Sequence, residues 1–227
     1  MLLLASDYDK TLKTTEYGLR LNIKFLKKFI DSGNIFLLNT GRPYQSIKKE
    51  IDKYDIPFNF LGCNDGNIMF DDNSNILYTS DMNNILYNEL IYIFDIFKVR
   101  VKPIMFNDKI LEFELIIPKI NKIFWLELHK FVIKYKLCFK VFKESDGYHI
   151  YIYSNLINKK TPIEYLKESH NICYSDIYTI GDHYNDIEMI RDYNGYAMKW
   201  AKKEVKDASI DTCFTVASLI KKINKRR

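Results

Sequence analysis

Two kinds of apolar pattern alternate along the chain. Leu2-Leu3-Leu4-Ala5, Ile35-Phe36-Leu37-Leu38, Phe58-Asn59-Phe60-Leu61 and Ile177-Tyr178-Thr179-Ile180 are short runs without helical spacing, which predicts buried strands. Asn22 to Ser32 instead carries Ile23, Leu26, Phe29 and Ile30 at amphipathic-helix spacing, with Gly33 as a stop. Pro43 suits the first turn of a second helix, whose Ile47 and Ile51 give it an apolar face up to about Tyr54. Asn64-Asp65-Gly66 turns the chain into Asn67 to Phe70, and the polar cluster Asp71 to Asn75 predicts a hairpin with Ile76-Leu77-Tyr78. Strand and helix in alternation predict a parallel sheet covered by helices on both faces, a Rossmann-like α/β core.

The rhythm then changes. Asn83 to Phe97 and Lys119 to Tyr135 read as helices. Val99 to Phe106 with Leu111 to Ile117, and Cys138 to Lys143 with Tyr148 to Tyr153, read as strand pairs, the second joined by an Asp146-Gly147 turn. A helix-strand-strand unit therefore occurs twice, which predicts an inserted α+β cap with a small antiparallel sheet. The first rhythm resumes with a helix at Thr161 to Leu166, the Ile177 strand, a helix at Ile187 to Asp192 and a strand at Tyr196-Ala197-Met198. A turn of helix near Glu204 to Ala208, a strand near Cys213 to Thr215 and a last helix complete it. The expected division is a discontinuous core of residues 1–79 and 155–227 around a cap of 80–154.

Composition narrows the class. The chain has 227 residues and is 47% hydrophobic, enough for a sizeable core. Its 34 Lys and Arg exceed 29 Asp and Glu by 5, but the excess is spread out and concentrates only at Lys221 to Arg227, where cations suit a helix C-terminus. No nucleic-acid or membrane partner is expected from it, and no apolar stretch approaches a membrane span. Cys63, Cys138, Cys173 and Cys213 form no Cys-x-x-Cys pair, which argues against a zinc site or a disulfide framework and for a reduced, cytoplasmic protein. Oligomeric state is not legible.

The candidate chemistry lies at strand ends. Asp7 and Asp9 follow the first strand one residue apart, so in an extended segment both carboxylates face one side. Such a pair attracts a cation, and oxygen ligands suit Mg²⁺ completed by a substrate phosphate. A carboxylate can also act as nucleophile, with a neighbouring acid moving the proton. Thr40-Gly41-Arg42 and Gly181-Asp182-His183-Tyr184-Asn185-Asp186 follow two further strands. Ligands in parallel α/β sheets bind beyond the carboxyl ends of strands, so three loops converge, one of them opening a helix as an anion cradle.

Asp7-x-Asp9-x-Thr11-Leu12, Thr40-Gly41-Arg42, a lysine in Asn158-Lys159-Lys160-Thr161, and Gly181-Asp182-x-x-Asn185-Asp186 resemble, in order and spacing, the four motifs of the haloacid dehalogenase-like superfamily. The duplicated insert and the late Ala197-Met198 and Val205-Lys206 resemble its Cof-like phosphatases with a type IIB cap. The resemblance implies a Mg²⁺-dependent phosphomonoesterase for a small phosphorylated metabolite such as a sugar phosphate. It makes Asp7 the nucleophile and Asp9 the general acid and base. Thr40, Gly41, Arg42, Lys159 and Asn185 would hold the phosphate, and Asp7, Asp9 through its carbonyl, Asp182 and Asp186 would hold the metal. A phosphomutase of the same chemistry and a non-catalytic metabolite-binding protein are the alternatives.

Blander roles stay open at this point: helix caps for Thr40 and Asn185, a surface cation for Arg42, a first-turn acid for Asp186. Lys159 is preferred to Lys160 because it puts Ile163 in register. Lys10, Lys160 and Lys199 stand where the family usually has Gly. At Lys10 the turn must either avoid a positive φ or tolerate it under strain.

Overall fold

The computed structural model describes Met1 to Lys225. The chain folds into two compact units: Met1–Tyr78 with the segment from Asn158 onward, and Thr79–Ile157. The crossings fall one and three residues from the boundaries expected from the sequence.

The first unit is built on an eight-stranded sheet in the order β12-β11-β10-β1-β2-β3-β4-β5. Its strands are β1 (Leu3–Ser6), β2 (Ile35–Asn39), β3 (Phe60–Cys63), β4 (Ile68–Asp71), β5 (Ile76–Thr79), β10 (Ile177–Gly181), β11 (Asn194–Met198) and β12 (Asp211–Cys213). Strands β12 through β3 run parallel, and β4 reverses against β3. β1 is wholly buried at the centre between β10 and β2, which explains why Leu3-Leu4-Ala5 is apolar throughout rather than alternating.

Helices α1 (Glu16–Asp31), α2 (Tyr44–Tyr54), α5 (Thr161–Ser169), α6 (Ile187–Asp192), α7 (Lys203–Asp207) and α8 (Val216–Lys225) connect these strands. From β1 the chain steps outward through β2 to β3, and from β10 it steps the opposite way through β11 to β12. Right-handed crossovers then put α1 and α2 on one face and α6 and α7 on the other, while α8, which follows the last strand, returns to the α1 face. α1 packs on α8, where the Asn22 side chain accepts from the Ala217 amide at 2.9 Å. α1 starts six residues earlier than its apolar spacing suggests, because Thr15 caps it by accepting from the Gly18 amide at 3.0 Å. β3 lies two residues later than expected: Asn59 donates its amide to the Phe36 carbonyl before the ladder begins, and side-chain-free Gly62 leaves room for Asn39. β12 lies two residues earlier than the Cys213 to Thr215 expectation.

The second unit carries α3 (Asn84–Phe94), β6 (Arg100–Phe106), β7 (Lys109–Ile117), α4 (Lys122–Lys134), β8 (Leu137–Glu144) and β9 (Gly147–Ser154), the duplicated helix-strand-strand pattern. Its antiparallel sheet has the order β6-β7-β9-β8. Phe113, Leu115, Ile150 and Ile152 of the sheet bury against Leu90 and Phe94 of α3 and Phe124, Leu128 and Phe131 of α4. By strand alternation the opposite face carries Glu112, Glu114, His149 and Tyr151. No helix among the described residues is long and apolar enough to cross a membrane.

Of the C-terminal basic run, Lys221 lies over the Phe25 ring and Lys222 pairs with Asp211. Arg226 and Arg227 lie outside the described residues.

Candidate active site

The loop after β1 leaves the sheet abruptly. The Asp7 amide still bonds the Ile180 carbonyl of β10 at 3.0 Å, but the Asp7 and Tyr8 carbonyls then receive the amides of Leu12 and Lys13, folding Asp7 to Lys13 into a tight turn. Asp7 is therefore buried while Asp9 points to solvent. Both residues line one cavity, but the extended-strand geometry expected for them is not what places them there, because the strand has ended at Ser6.

The Asp9 carboxylate is instead gripped by Arg42, whose Nε and Nη2 reach its two oxygens at 2.7 and 2.6 Å. Arg42 lies over the Tyr8 ring, and the Tyr8 hydroxyl donates to Glu50 at 2.5 Å, with Lys13 on the same carboxylate. Arg42, expected on phosphate, is held by a carboxylate.

Lys10 adopts φ +59°, a left-handed conformation that L side chains enter at a cost of about 1–2 kcal/mol. Its carbonyl accepts from Trp200 Nε1 at 3.0 Å. Lys10→Gly should relieve the strain while keeping that backbone contact. Allowing for glycine's greater chain entropy, the expected gain is roughly 0.5–1 kcal/mol in urea denaturation. A loss of stability would show that the lysine is not strained there.

The second loop follows β2. Thr40 is buried, donates its amide to the Gly62 carbonyl at 2.9 Å and accepts the Arg42 amide on Oγ1 at 3.1 Å. Gly41 leaves room for Asp65: a Cβ there would lie 2.9 Å from Asp65 Oδ1 and push that carboxylate aside.

The third loop delivers Lys159, 1% exposed, just before α5. Its Nζ lies 2.6 Å from Asp7 Oδ1 and 2.7 Å from Asp186 Oδ1. Its carbonyl is held by Asn39 Nδ2 at 2.6 Å. Lys160 points elsewhere, to Asp192 at 2.9 Å, so the structure brings Lys159 and not its neighbour into the cluster.

The fourth loop follows β10. Asp186 is fully buried, and its Oδ2 accepts the amides of Asp182 and His183, each at 3.0 Å, closing the turn over Gly181. A Cβ on Gly181 would fall 2.4 Å from Asp186 Cγ. Asp182 Oδ1 accepts from Thr11 Oγ1 at 3.1 Å, and Asn185 Nδ2 donates to Asp65 Oδ1 at 2.7 Å. The His183 ring sits beside Asn185, its Nδ1 3.3 Å from Asn185 Oδ1, on the wall of the same cavity.

Asp7, Asp182 and Asp186 each offer a carboxylate oxygen within 4.8 Å of the others. The Asp9 side chain is not in this set. Lys159 brings one positive charge to two buried carboxylates, and Asp182 adds a third acid, so the cluster is left with an excess of negative charge. Burial pushes the Asp7 carboxyl up to about 7; Lys159 pulls it down and Asp186 adds to the rise. Burial alone would lower the Lys159 ammonium, but Asp186 and Asp7 overcome it and hold it protonated. Asp182 is also raised, chiefly by burial. An oxygen-only donor set with unbalanced negative charge fits a hard divalent cation such as Mg²⁺. A cavity of about 420 Å³ opens beside it, lined among others by Asp7, Asp9, Lys10, Thr40, Arg42 and Asn185.

Asp65 and Asn39 were not singled out from the sequence. Asp65 follows the carboxyl end of β3, the same placement that marked the other loops, but it read as a turn residue. Asn39 ends a buried strand and meets Lys159 from 120 positions away in the chain.

A family model described as haloacid dehalogenase-like hydrolase matches residues 4–114 and 119–215. A comparison with curated protein sequences finds no significant match. Among solved structures, a phosphatase of this superfamily from Bacteroides thetaiotaomicron is similar with a TM-score of 0.75 at 16% identity, over 99% of this chain and 94% of that one. A HAD/COF-like hydrolase from Plasmodium vivax gives 0.74 at 18% identity, over 100% and 96%. A subclass IIB sugar phosphatase of the superfamily gives 0.71 at 15% identity, over 99% of each chain. By its sequence match and its fold, a mainly parallel sheet interrupted by a separate four-stranded antiparallel unit, the chain belongs to the haloacid dehalogenase-like hydrolases.

Proposed function

We propose that the protein is a cytoplasmic, Mg²⁺-dependent phosphomonoesterase that forms an aspartyl-phosphate on Asp7 and acts on small phosphorylated metabolites, sugar phosphates being the leading class. The observation that carries this reading is the buried Asp7 carboxylate sharing one lysine with Asp186 at the carboxyl end of the sheet. The similar structures named as phosphatases, one of them a sugar phosphatase, support the reaction class. The cysteines are all free, in keeping with a reducing compartment.

Lys159 occupies Asp7 Oδ1, which orients the carboxylate and leaves Oδ2 to attack phosphorus. The bond from phosphorus to the leaving oxygen breaks as the Asp7 oxygen bonds. Thr40 and the Gly41 amide bind phosphate oxygens, and the Lys159 ammonium offsets charge that builds on them. Mg²⁺ held by Asp7, Asp182 and Asp186 would supply further positive charge against the phosphate.

Both Asp9 oxygens are engaged by the Arg42 guanidinium, so the side chain must leave that pair before it can meet the leaving alcohol. The pair is half-exposed and so weakly held, which lets an incoming phosphate compete for Arg42. Freed from Arg42 and having taken a proton from water, Asp9 passes it to the leaving alcohol. It then takes a proton from the water that attacks the phosphorus, releasing phosphate and regenerating Asp7.

The test is phosphate release from an aryl phosphate and a panel of sugar phosphates, with Mg²⁺ and with EDTA. Turnover with Mg²⁺ that EDTA abolishes is the expected result. A folded, Mg²⁺-supplied protein with no turnover across the panel would replace this reading with a metabolite-binding one.

A further inference from the structure

The turn after β3 supports the site from behind. Thr40, Gly41 and Asn185 line the cavity; Asp65 does not, but it touches the loops that carry them. The Asp65 amide donates to the Thr40 carbonyl at 3.1 Å and the Asn64 amide to the Arg42 carbonyl at 3.0 Å, so the turn is fastened along its backbone to the loop after β2. Asp65 has φ +53°, a left-handed conformation that Asp enters more readily than most residues. Its Oδ1 then accepts from Asn185 Nδ2 at 2.7 Å, on the loop after β10. One residue therefore ties together the two loops expected to hold the phosphate.

The hydrogen-bonding groups of Asn185 decide what this tie does. The amide has two N–H donors and one oxygen. A carboxylate only accepts, so the amide end at Asp65 is Nδ2, and Oδ1 faces His183 Nδ1 at 3.3 Å. The amide is held at both ends, and one N–H remains for the cavity that Asn185 lines. With no acceptor at Asp65 the amide is free to turn over and present its oxygen, which repels a phosphate oxygen. An acceptor on the first N–H also polarises the amide and makes the second a stronger donor.

We infer that Asp65 is a positioning residue for phosphoryl transfer, acting through Asn185 by fixing one amide N–H toward the phosphate. The inference rests on the phosphatase reading above. A different action is separable from it: against burial, Asp65 adds to the charge of Asp186 and Asp7 that keeps Lys159 protonated.

The test compares Asp65→Gly, which removes the carboxylate and suits the positive φ, with Asp65→Asn, which keeps an acceptor but not the charge. In hydrolysis of an aryl phosphate with Mg²⁺, Asp65→Gly should lose about 10- to 100-fold in kcat/KM, and Asp65→Asn no more than about 5-fold. In an Asn185→Ala background Asp65→Gly should add almost nothing, because the group it acts through is already gone. Losses that multiply in the double variant would overturn the assignment. So would an Asp65→Asn as impaired as Asp65→Gly, which would make the charge on Lys159 the route of action. A wild-type protein without turnover would overturn the phosphatase reading instead, and the positioning is then read from ¹H–¹⁵N spectra of the Asn185 side-chain amide during titration with inorganic phosphate. One of its two N–H resonances should move in the wild type and neither in Asp65→Gly; an equal response in the two proteins, or none in the wild type, would overturn the inference.

Discussion

Asp7→Asn is expected to abolish phosphate release, by at least about 10⁴-fold in kcat, because it removes the attacking oxygen from the step on which every later one depends. The substitution is nearly isosteric, so the loss should not come from unfolding. In EDTA the variant should be as stable as the wild type or more so at neutral pH. The reason is the direction in which burial moves this acid. Folded Asp7 titrates near 7 against an ordinary value of 3.8, so between those values the folded protein holds a proton that the unfolded chain has released. Stability from this group is therefore complete below about pH 4 and is lost as pH rises through about 7, by an amount on the order of a few kcal/mol. Asparagine carries no charge to bury and should flatten that part of the profile. Urea denaturation from pH 4 to 8, in EDTA, reads both curves. Parallel profiles would mean that Asp7 is not a buried, desolvated carboxylate. Turnover in Asp7→Asn close to wild type would remove it as nucleophile.

Much of this arrangement was legible in the chain, and the reasons are local. β1, β2 and β10 are apolar on both faces because each lies between strands and under helices, so their runs stand out without any periodicity. Polar residues that directly follow such runs have nowhere to go but the sheet's carboxyl edge. That is why Asp7, Thr40, Asp182 and Asp186 could be grouped before any coordinates. The helix-strand-strand repeat likewise depends only on spacing and turn residues.

What escaped the sequence depends on dihedral angles and on long-range contact. Asp9 was placed by assuming an extended segment, and one turn beginning at Asp7 sent its side chain to Arg42 instead. Lys10 sits at a positive φ that its residue type disfavours, so only the surrounding bonds of the loop reveal the conformation. Asp65 looks like a turn residue because it is one; its second role, accepting from Asn185 while crowding Gly41, exists only once β3 lies beside β2. α1 gained its first turn from a Thr15 cap that an apolar-spacing argument passes over.

Lys159→Met is expected to be the most destabilising change in the site. The Lys159 ammonium bridges two carboxylates that have almost no access to water, and Met keeps the bulk of the side chain while removing the charge. Removing one partner of a buried ionic cluster leaves the other charges uncompensated, at a cost of about 3–5 kcal/mol. Lys160→Met makes the control: that lysine pairs with Asp192 at a site about one-third exposed, where solvent screening limits the pair to at most about 1 kcal/mol. Urea denaturation in EDTA should therefore separate two adjacent lysines by several kcal/mol. Repeating the measurement with Mg²⁺ adds a second discrimination. If Asp7, Asp182 and Asp186 hold the ion, binding to the folded state stabilises it, and the gain should be larger in Lys159→Met than in wild type because the ion then neutralises the charge the lysine left behind. Equal losses for the two lysine variants would show that the ammonium does not hold the cluster together. A Mg²⁺ response no larger in Lys159→Met than in wild type would separate the lysine from the metal site. Catalysis should fall in Lys159→Met even where Mg²⁺ restores stability, since the charge that orients Asp7 Oδ1 is then missing from the point of attack.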